Sequence, residues 1–137
     1  LSTNNKSIYL SRKYTNWRRV FNEVLIIKKL KELNFEIIYI EKLSIEEQIT
    51  LALNSNTIVS PLGASICLYL FAAKGTKCLT LLPNICSPMF LSELYCGPLN
   101  HPHKSIIGSS IKSENTSINS DYHIDDNVNW KKILSDM

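Results

Sequence analysis

The chain has 137 residues, 45% of them apolar and 20% charged, which suits one domain with a real core and does not suit a disordered tail. Fifteen Lys and Arg against twelve Asp and Glu leave a net charge of +3 with both signs interspersed, so no arginine-rich tract and no nucleic-acid partner is expected. No apolar run approaches the roughly 20 residues of a membrane span. The opening residues do not read as a signal peptide, and a first residue other than Met reads as a fragment or a processed chain.

Ser7 to Ser11 is a short β-prone run, ended by the polar stretch Arg12 to Asn16. From Trp17 to Leu33, apolar residues recur at three- and four-residue steps (Trp17, Val20, Phe21, Val24, Ile27, Leu30, Leu33), which predicts one helix with that face inward and Asn34 as its stop. Phe35 to Ile40 reads as a strand. Ser44-Ile45-Glu46-Glu47 is a capping box that opens a helix running to about Asn54. Thr57 to Ser60 is a continuously apolar strand, Pro61-Leu62-Gly63 a turn, and Ala64 to Ala73 an apolar helix stopping at Lys74-Gly75. Cys78 to Leu82 is a buried-type strand ended by Pro83, and Pro88 to Cys96 a short helix. Ser105 to Ile107 is a last strand, and the Ser/Asn-rich stretch 109–120 reads as a flexible loop. Val128 to Leu134 is a final amphipathic helix, and Trp17 and Trp130 are both assigned to the core.

Strands and helices alternate, which predicts an α/β fold: a parallel, Rossmann-like sheet with helices on both faces and right-handed crossovers. The four cysteines (Cys67, Cys78, Cys86, Cys96) lack Cys-x-x-Cys spacing, so a zinc site is not expected. They read as small apolar residues, with a disulfide or a reactive thiol as the alternatives. His101, His103 and His123 are scattered in loops, and Asp121, Asp125 and Asp126 read as a solvated loop and helix cap. No metal motif stands out.

Ligands of such sheets bind outside the C-terminal strand ends. One polar cluster there is Ser11-Arg12-Lys13, with Arg18, Arg19, Asn22 and Glu23 beyond it. Arg18 and Arg19, placed in a first helical turn, oppose the helix dipole, so helix stability does not explain them. A phosphate does, because guanidinium forks match its oxygens; a solvated basic face, with Glu23 pairing to Arg18 or Arg19, is the other reading. Another cluster is Ser60 to Ser65, where the amides of Gly63, Ala64 and Ser65 would open a helix and present N–H groups to an anion. The turn glycine has a purely steric reading as well. A third cluster, Pro83-Asn84, is weaker.

Ile8-Tyr9-Leu10-Ser11-Arg12 followed by Arg18-Arg19-Val20-Phe21-Asn22-Glu23 resembles the Tyr-Ile-Ser-Arg … Arg-x-x-Asn-Glu signature of family 61 glycosyltransferases. Leu43-Ser44, Glu47-Gln48-Ile49 and Ile58-Val59-Ser60-Pro61-Leu62-Gly63-Ala64-Ser65 are similar to that family's later blocks, in the same order. Leu70 to Gly75 and Leu79 to Pro83 continue them. The family's His in Pro-His-Gly-Ala is Leu62 here, and the small residues around it are Ser60 and Ser65.

The resemblance implies half of a GT-B-like transferase: the C-terminal, nucleotide-sugar-binding half, with the N-terminal half of the same enzyme absent. It implies transfer of a hexosyl or pentosyl group from a nucleotide-sugar donor to a glycan acceptor. The donor-binding set is Arg12, Arg18, Arg19, Asn22, Glu23, Gly63, Ala64 and Ser65, with no metal and no cofactor. The catalytic base would lie outside this chain. The wording around Phe71 to Gly75 is closest to the bacterial branch of capsular polysaccharide synthesis. That implies a cytoplasmic or membrane-associated bacterial enzyme, or a secretory-pathway lumenal one if the chain is eukaryotic. A non-catalytic remnant serving as a binding module is the alternative that Leu62 raises.

Overall fold

A computed structural model describes residues 6–88, 91–111, 117 and 119–137. The described strands are β1 (Lys6–Leu10), β2 (Glu36–Ile38), β3 (Ser55–Pro61), β4 (Lys77–Pro83), β5 (His103–Ser110) and β6 (Tyr122–His123). They form one sheet in the order β2-β1-β3-β4-β5-β6. The first five run parallel, with Leu10 beside Ile38, Tyr9 beside Val59 and Thr80 beside both Ser60 and Ser105. β6 closes the edge antiparallel to β5. The α-helices are α1 (Glu23–Glu32), α2 (Ile45–Leu53) and α3 (Trp130–Ser135), and a 3-10 helix spans Ala64–Phe71.

Period-2 alternation in the inner strands fills two cores. Ile8, Leu10, Ile58, Cys78 and Leu82 face one side and pack with Ala52 of α2 and with Ile66 and Tyr69 of the 3-10 helix. Tyr9, Val59, Leu79 and Leu81 face the other and pack with Ile26 and Leu30 of α1 and Trp130 of α3. Helices therefore cover both faces of a parallel sheet, which is the expected α/β class. From β1 the chain runs outward to β2, crosses back to β3 and continues to β4 and β5. The order reverses between β1 and β3, and their C-terminal ends meet there.

Several elements differ from the sequence reading. The expected helix from Trp17 begins six residues later, because 18–22 is irregular chain bonded to 119–124. Arg18 adopts φ +51°, Val20 bridges to Tyr122, and Phe21 N–H donates to the Tyr122 carbonyl at 2.7 Å. Trp17, Phe21 and Val24, expected in the core, are exposed at 57, 71 and 80%. Arg18 and Arg19 accordingly precede α1 rather than opening it. Asn34 does terminate α1, with φ +64° just beyond its end. The Ser44 capping box is present: its hydroxyl accepts from the Glu47 amide and its amide donates to the Glu47 carboxylate. The helix after Gly63 is 3-10 and ends at Phe71, short of Lys74.

Within the stretch read as a flexible loop, Ser109 and Ser110 belong to β5 and pair with β6, while 112–116 and 118 lie outside the described residues. β6 has no counterpart in the sequence reading. Gly108 allows it: a Cβ there would lie 2.5 Å from the His123 carbonyl oxygen. Cys78 and Cys96 are buried, but Cys67 is exposed, and all four thiols are free.

Candidate functional site

β1 delivers Arg12 to the point where the strand order reverses. Its backbone is fixed first: the Arg12 amide donates to Glu23 Oε1 at 2.9 Å, and that oxygen also accepts from the Tyr9 hydroxyl at 2.9 Å. Thr15 bonds the Arg12 carbonyl through both its amide and its hydroxyl. The guanidinium then folds back over its own loop. Nε donates to the Arg18 carbonyl and Nη2 to the Trp17 carbonyl, each at 3.1 Å.

The remaining nitrogen, Nη1, lies against Gly63. A Cβ on Gly63 would sit 1.9 Å from it, so the close approach of β1's loop to β3's turn requires glycine here. Gly63 itself is extended (φ 172°), so space rather than backbone conformation selects it. Arg12 is 9% exposed and has no carboxylate ion pair among the described residues. Burial, and then the Arg18 charge, lower its pKa from the ordinary value, while Tyr122, Glu41 and Glu23 act in the opposite direction. A buried cation normally has a counter-charge; this one turns its free edge to a concavity of about 460 Å³.

That concavity is lined by Arg12, Arg18, Gly63 and Ala64 from the expected set, and by Tyr14 and Trp17 among others. The amides of Gly63, Ala64 and Ser65 open the 3-10 helix, where N–H groups have no intrahelical acceptor. Two clusters some fifty residues apart in the chain thus meet at Arg12 and Gly63. Ser65 departs from the set: its hydroxyl bonds Ser60 Oγ at 3.0 Å, and it lines a separate apolar groove with Ile45 and Phe71.

Three other members of the set act through neighbours. Arg19 does not pair with Glu23. Its Nε and Nη2 both donate to Asp121 Oδ2, at 3.2 and 3.0 Å, and its amide donates to Oδ1 at 2.8 Å. Asp121 is therefore a structural partner rather than a solvated loop residue. Asn22 donates to the Ile124 carbonyl and to Asp126, and accepts from the Ile124 amide. Together these bonds hold 119–126 beside the 18–22 segment, and Asn119 in turn accepts from the Arg18 amide and guanidinium. Arg19 lines a second concavity together with Arg12, Glu23 and Asp121, and Gly63 is not among its lining residues.

The sequence reading missed Tyr14 and Trp17. Tyr14 is a lone aromatic in an otherwise polar stretch after a strand, which is a usable signal. Trp17 was hidden by a helical period that the structure does not follow. Leu62, in the family's His position, packs in the core with Ile8, Ile58 and Ile66 at 5% exposure and does not line the concavity. Among the described residues no three His, Cys, Asp or Glu side chains come together as a metal site, and no helix is long and apolar enough to cross a membrane.

The fold and the site define an α/β domain with a cationic, aromatic-lined concavity at its strand-order reversal. The Glycosyltransferase 61 family model matches residues 2–79, more than half of the chain and every residue of the concavity, and the chain belongs to that family. No curated protein matches the chain. Membership implies glycosyl transfer between a sugar donor and an acceptor.

Proposed function

We propose that this chain is the C-terminal, donor-binding half of a GT-B-like glycosyltransferase of the bacterial capsular type, and that it holds a nucleotide sugar across the Arg12–Gly63 contact. The observation that carries this reading is the Arg12 guanidinium, buried without a carboxylate and packed against Gly63 at the β1/β3 reversal, where both line one concavity. Loss of the nucleoside diphosphate builds negative charge on the departing phosphate. Fixed donors aimed at that charge lower the barrier because they need no reorganisation during the reaction.

Arg12 Nη1 and the Gly63 and Ala64 amides supply those donors, and Arg18 adds positive potential from the rim. Glu23 positions Arg12 by holding its backbone, and Arg19 and Asn22 position Arg18 by holding 119–126. Tyr14 and Trp17 offer faces for the base; stacking on an aromatic is worth about 1–3 kcal/mol per base. Transfer proceeds without a divalent metal in this reading, and the complementary N-terminal half supplies the base that deprotonates the glycan hydroxyl.

Calorimetric titration with UDP, GDP and CMP, with and without chelator, tests it. Nucleotide binding is expected to survive chelation. Arg12→Ala should weaken it at least ten-fold, since a charged hydrogen bond contributes about 1.5–3 kcal/mol. Binding that disappears with chelator, or that is equal in wild type and Arg12→Ala, sinks the proposal. The core position of Leu62 favours a second reading, a nucleotide-binding remnant without transfer; donor binding with no sugar transfer once the complementary half is supplied would select it.

A further inference from the structure

Two of the four cysteines share a place in the core. Cys78 lies in β4 and Cys96 ends the helical turn Leu91–Cys96. Both are buried, at 0 and 1% exposure, in the core that also holds Ala52 of α2 and Tyr69 of the 3-10 helix. The backbone ties their positions together. The His101 amide donates to the Cys96 carbonyl at 3.0 Å, and the Cys78 amide donates to the Pro102 carbonyl at 2.8 Å. The loop that leaves Cys96 therefore closes on Cys78, and His103 pairs in register with Cys78 where β5 joins β4.

Across that closure the two thiols hydrogen-bond to each other. Cys78 Sγ also faces the Thr76 carbonyl at 3.6 Å. Thiols are weak donors and weak acceptors, so these contacts add little to the fold. Their consequence is chemical: two sulfurs are held within reach of each other. The bond to Cys96, together with burial, pushes the Cys78 thiol up, and the same bond lowers Cys96. Cys96 is thus the sulfur on which a thiolate forms. Leu94 is exposed and Tyr95 half-buried, so the residues just before Cys96 lie at the surface.

We infer that Cys78 and Cys96 are a dithiol that a small-molecule disulfide converts into an intrachain disulfide, stapling β4 to the Leu91–Cys96 turn. The Cys96 thiolate attacks one sulfur of the reagent, forms a mixed disulfide and releases the first thiol. Cys78 then attacks the Cys96 sulfur, and its proton leaves with the second thiol. Two electrons and two protons pass from the pair to the reagent, which is reduced to two thiols; excess thiol reverses the sequence. A reducing compartment keeps the pair open, and an oxidising one closes it. Cys67, which is exposed, and Cys86, which is half-buried, take no part. The inference rests on these two core positions and not on the transferase reading.

Refolding of the reduced chain in a mixture of reduced and oxidised glutathione is the test, because it reaches the buried sulfurs without depending on their access in the folded state. The product is quenched in acid, alkylated and cleaved after Lys77, Glu93 and Lys104, which separates 78–93 from 94–104. The two peptides are expected to stay joined until a reductant is added. The link should persist in Cys67→Ser and in Cys86→Ser and be lost in Cys96→Ser. The joined chain should melt about 5 °C or more above the reduced one, because the link constrains the unfolded state. Peptides that separate without reductant, or a link that disappears in Cys86→Ser, would overturn the inference. A link that lowers Tm would overturn it as well, since the fold would then be strained to bring the sulfurs together.

Discussion

Arg12 and Gly63 are a single device made of two residues. Gly63→Ala places a methyl where Nη1 lies, and the guanidinium must leave one or both of its carbonyl acceptors to make room. Each neutral-acceptor bond to a charged donor contributes about 1.5–3 kcal/mol. The expected result is nucleotide affinity reduced roughly as far as in Arg12→Ala, with Tm lowered by about 5 °C or more; wild-type affinity in Gly63→Ala would break the link between the two residues. Trp17 reports on the same concavity. The chain has two tryptophans, and the other, Trp130, is buried in the core at 3% exposure. Nucleotide should quench the solvent-exposed Trp17 emission and leave the blue-shifted Trp130 emission alone. Trp17→Phe should abolish the quench and weaken binding by no more than about ten-fold, because the base can still stack on Phe. Quenching that persists in Trp17→Phe would remove this residue from the site.

At the scale of elements, the β3-to-helix turn is where local sequence and tertiary position interact most closely. Pro61 ends β3, and Leu62 turns into the core while its amide still bonds the Leu81 carbonyl at 2.8 Å. Gly63 faces Arg12, and the helix begins at Ala64. Leu62→His, which the resemblance to the family would suggest as a gain in donor binding, is expected instead to bury an imidazole among Ile8, Ile58 and Ile66. Lost packing and an unsatisfied ring nitrogen should cost about 2–4 kcal/mol. Chemical denaturation would measure this; a variant as stable as wild type would show that position 62 reaches solvent. Segment 119–124 has a comparable influence. By bonding Arg18, Arg19 and Phe21 it holds out of the helix residues that the sequence presents as helical, and so exposes Trp17 to the site.

For the whole molecule, the buried tyrosines tie stability to alkaline pH. Tyr9, Tyr69 and Tyr122 sit in the two cores with their hydroxyls bonded to Glu23, to Thr80 and to the Leu81 carbonyl. Burial is the main cause that raises all three phenols above the ordinary value, and for Tyr9 the Glu23 charge adds to it. With folded values raised, the folded state holds these protons longer than the unfolded chain does. Their contribution to stability is thus complete below the free phenol value of about 10 and is lost as pH climbs through the folded values. Phenolate absorbance should rise in two stages above that point, exposed tyrosines first and the buried three together with loss of near-ultraviolet dichroism. One smooth titration of all six tyrosines with the fold intact would contradict the placement of those three.

The sequence by itself determined the layers. Alternating apolar strands and amphipathic helices imposed a parallel sheet covered on both faces, because an inner strand such as Leu79-Thr80-Leu81-Leu82 has no polar face to leave in water. The Ser44 box and Asn34 marked helix ends, because caps are satisfied within a few residues. Arg12 and the Gly63 turn were legible as strand-end clusters for the same local reason. Only the tertiary structure decided what lies across from what. Arg19 took Asp121, Glu23 took Tyr9 and the Arg12 backbone, and Ser65 took Ser60. Phe21 left the helix because Asp121 and Tyr122, about a hundred positions away, supplied hydrogen bonds that outweighed a local helical period, and α1 then turned Ile26 and Leu30 inward and left Val24 in solvent. Partners of that kind depend on how distant segments meet in space, and spacing along the chain does not encode them.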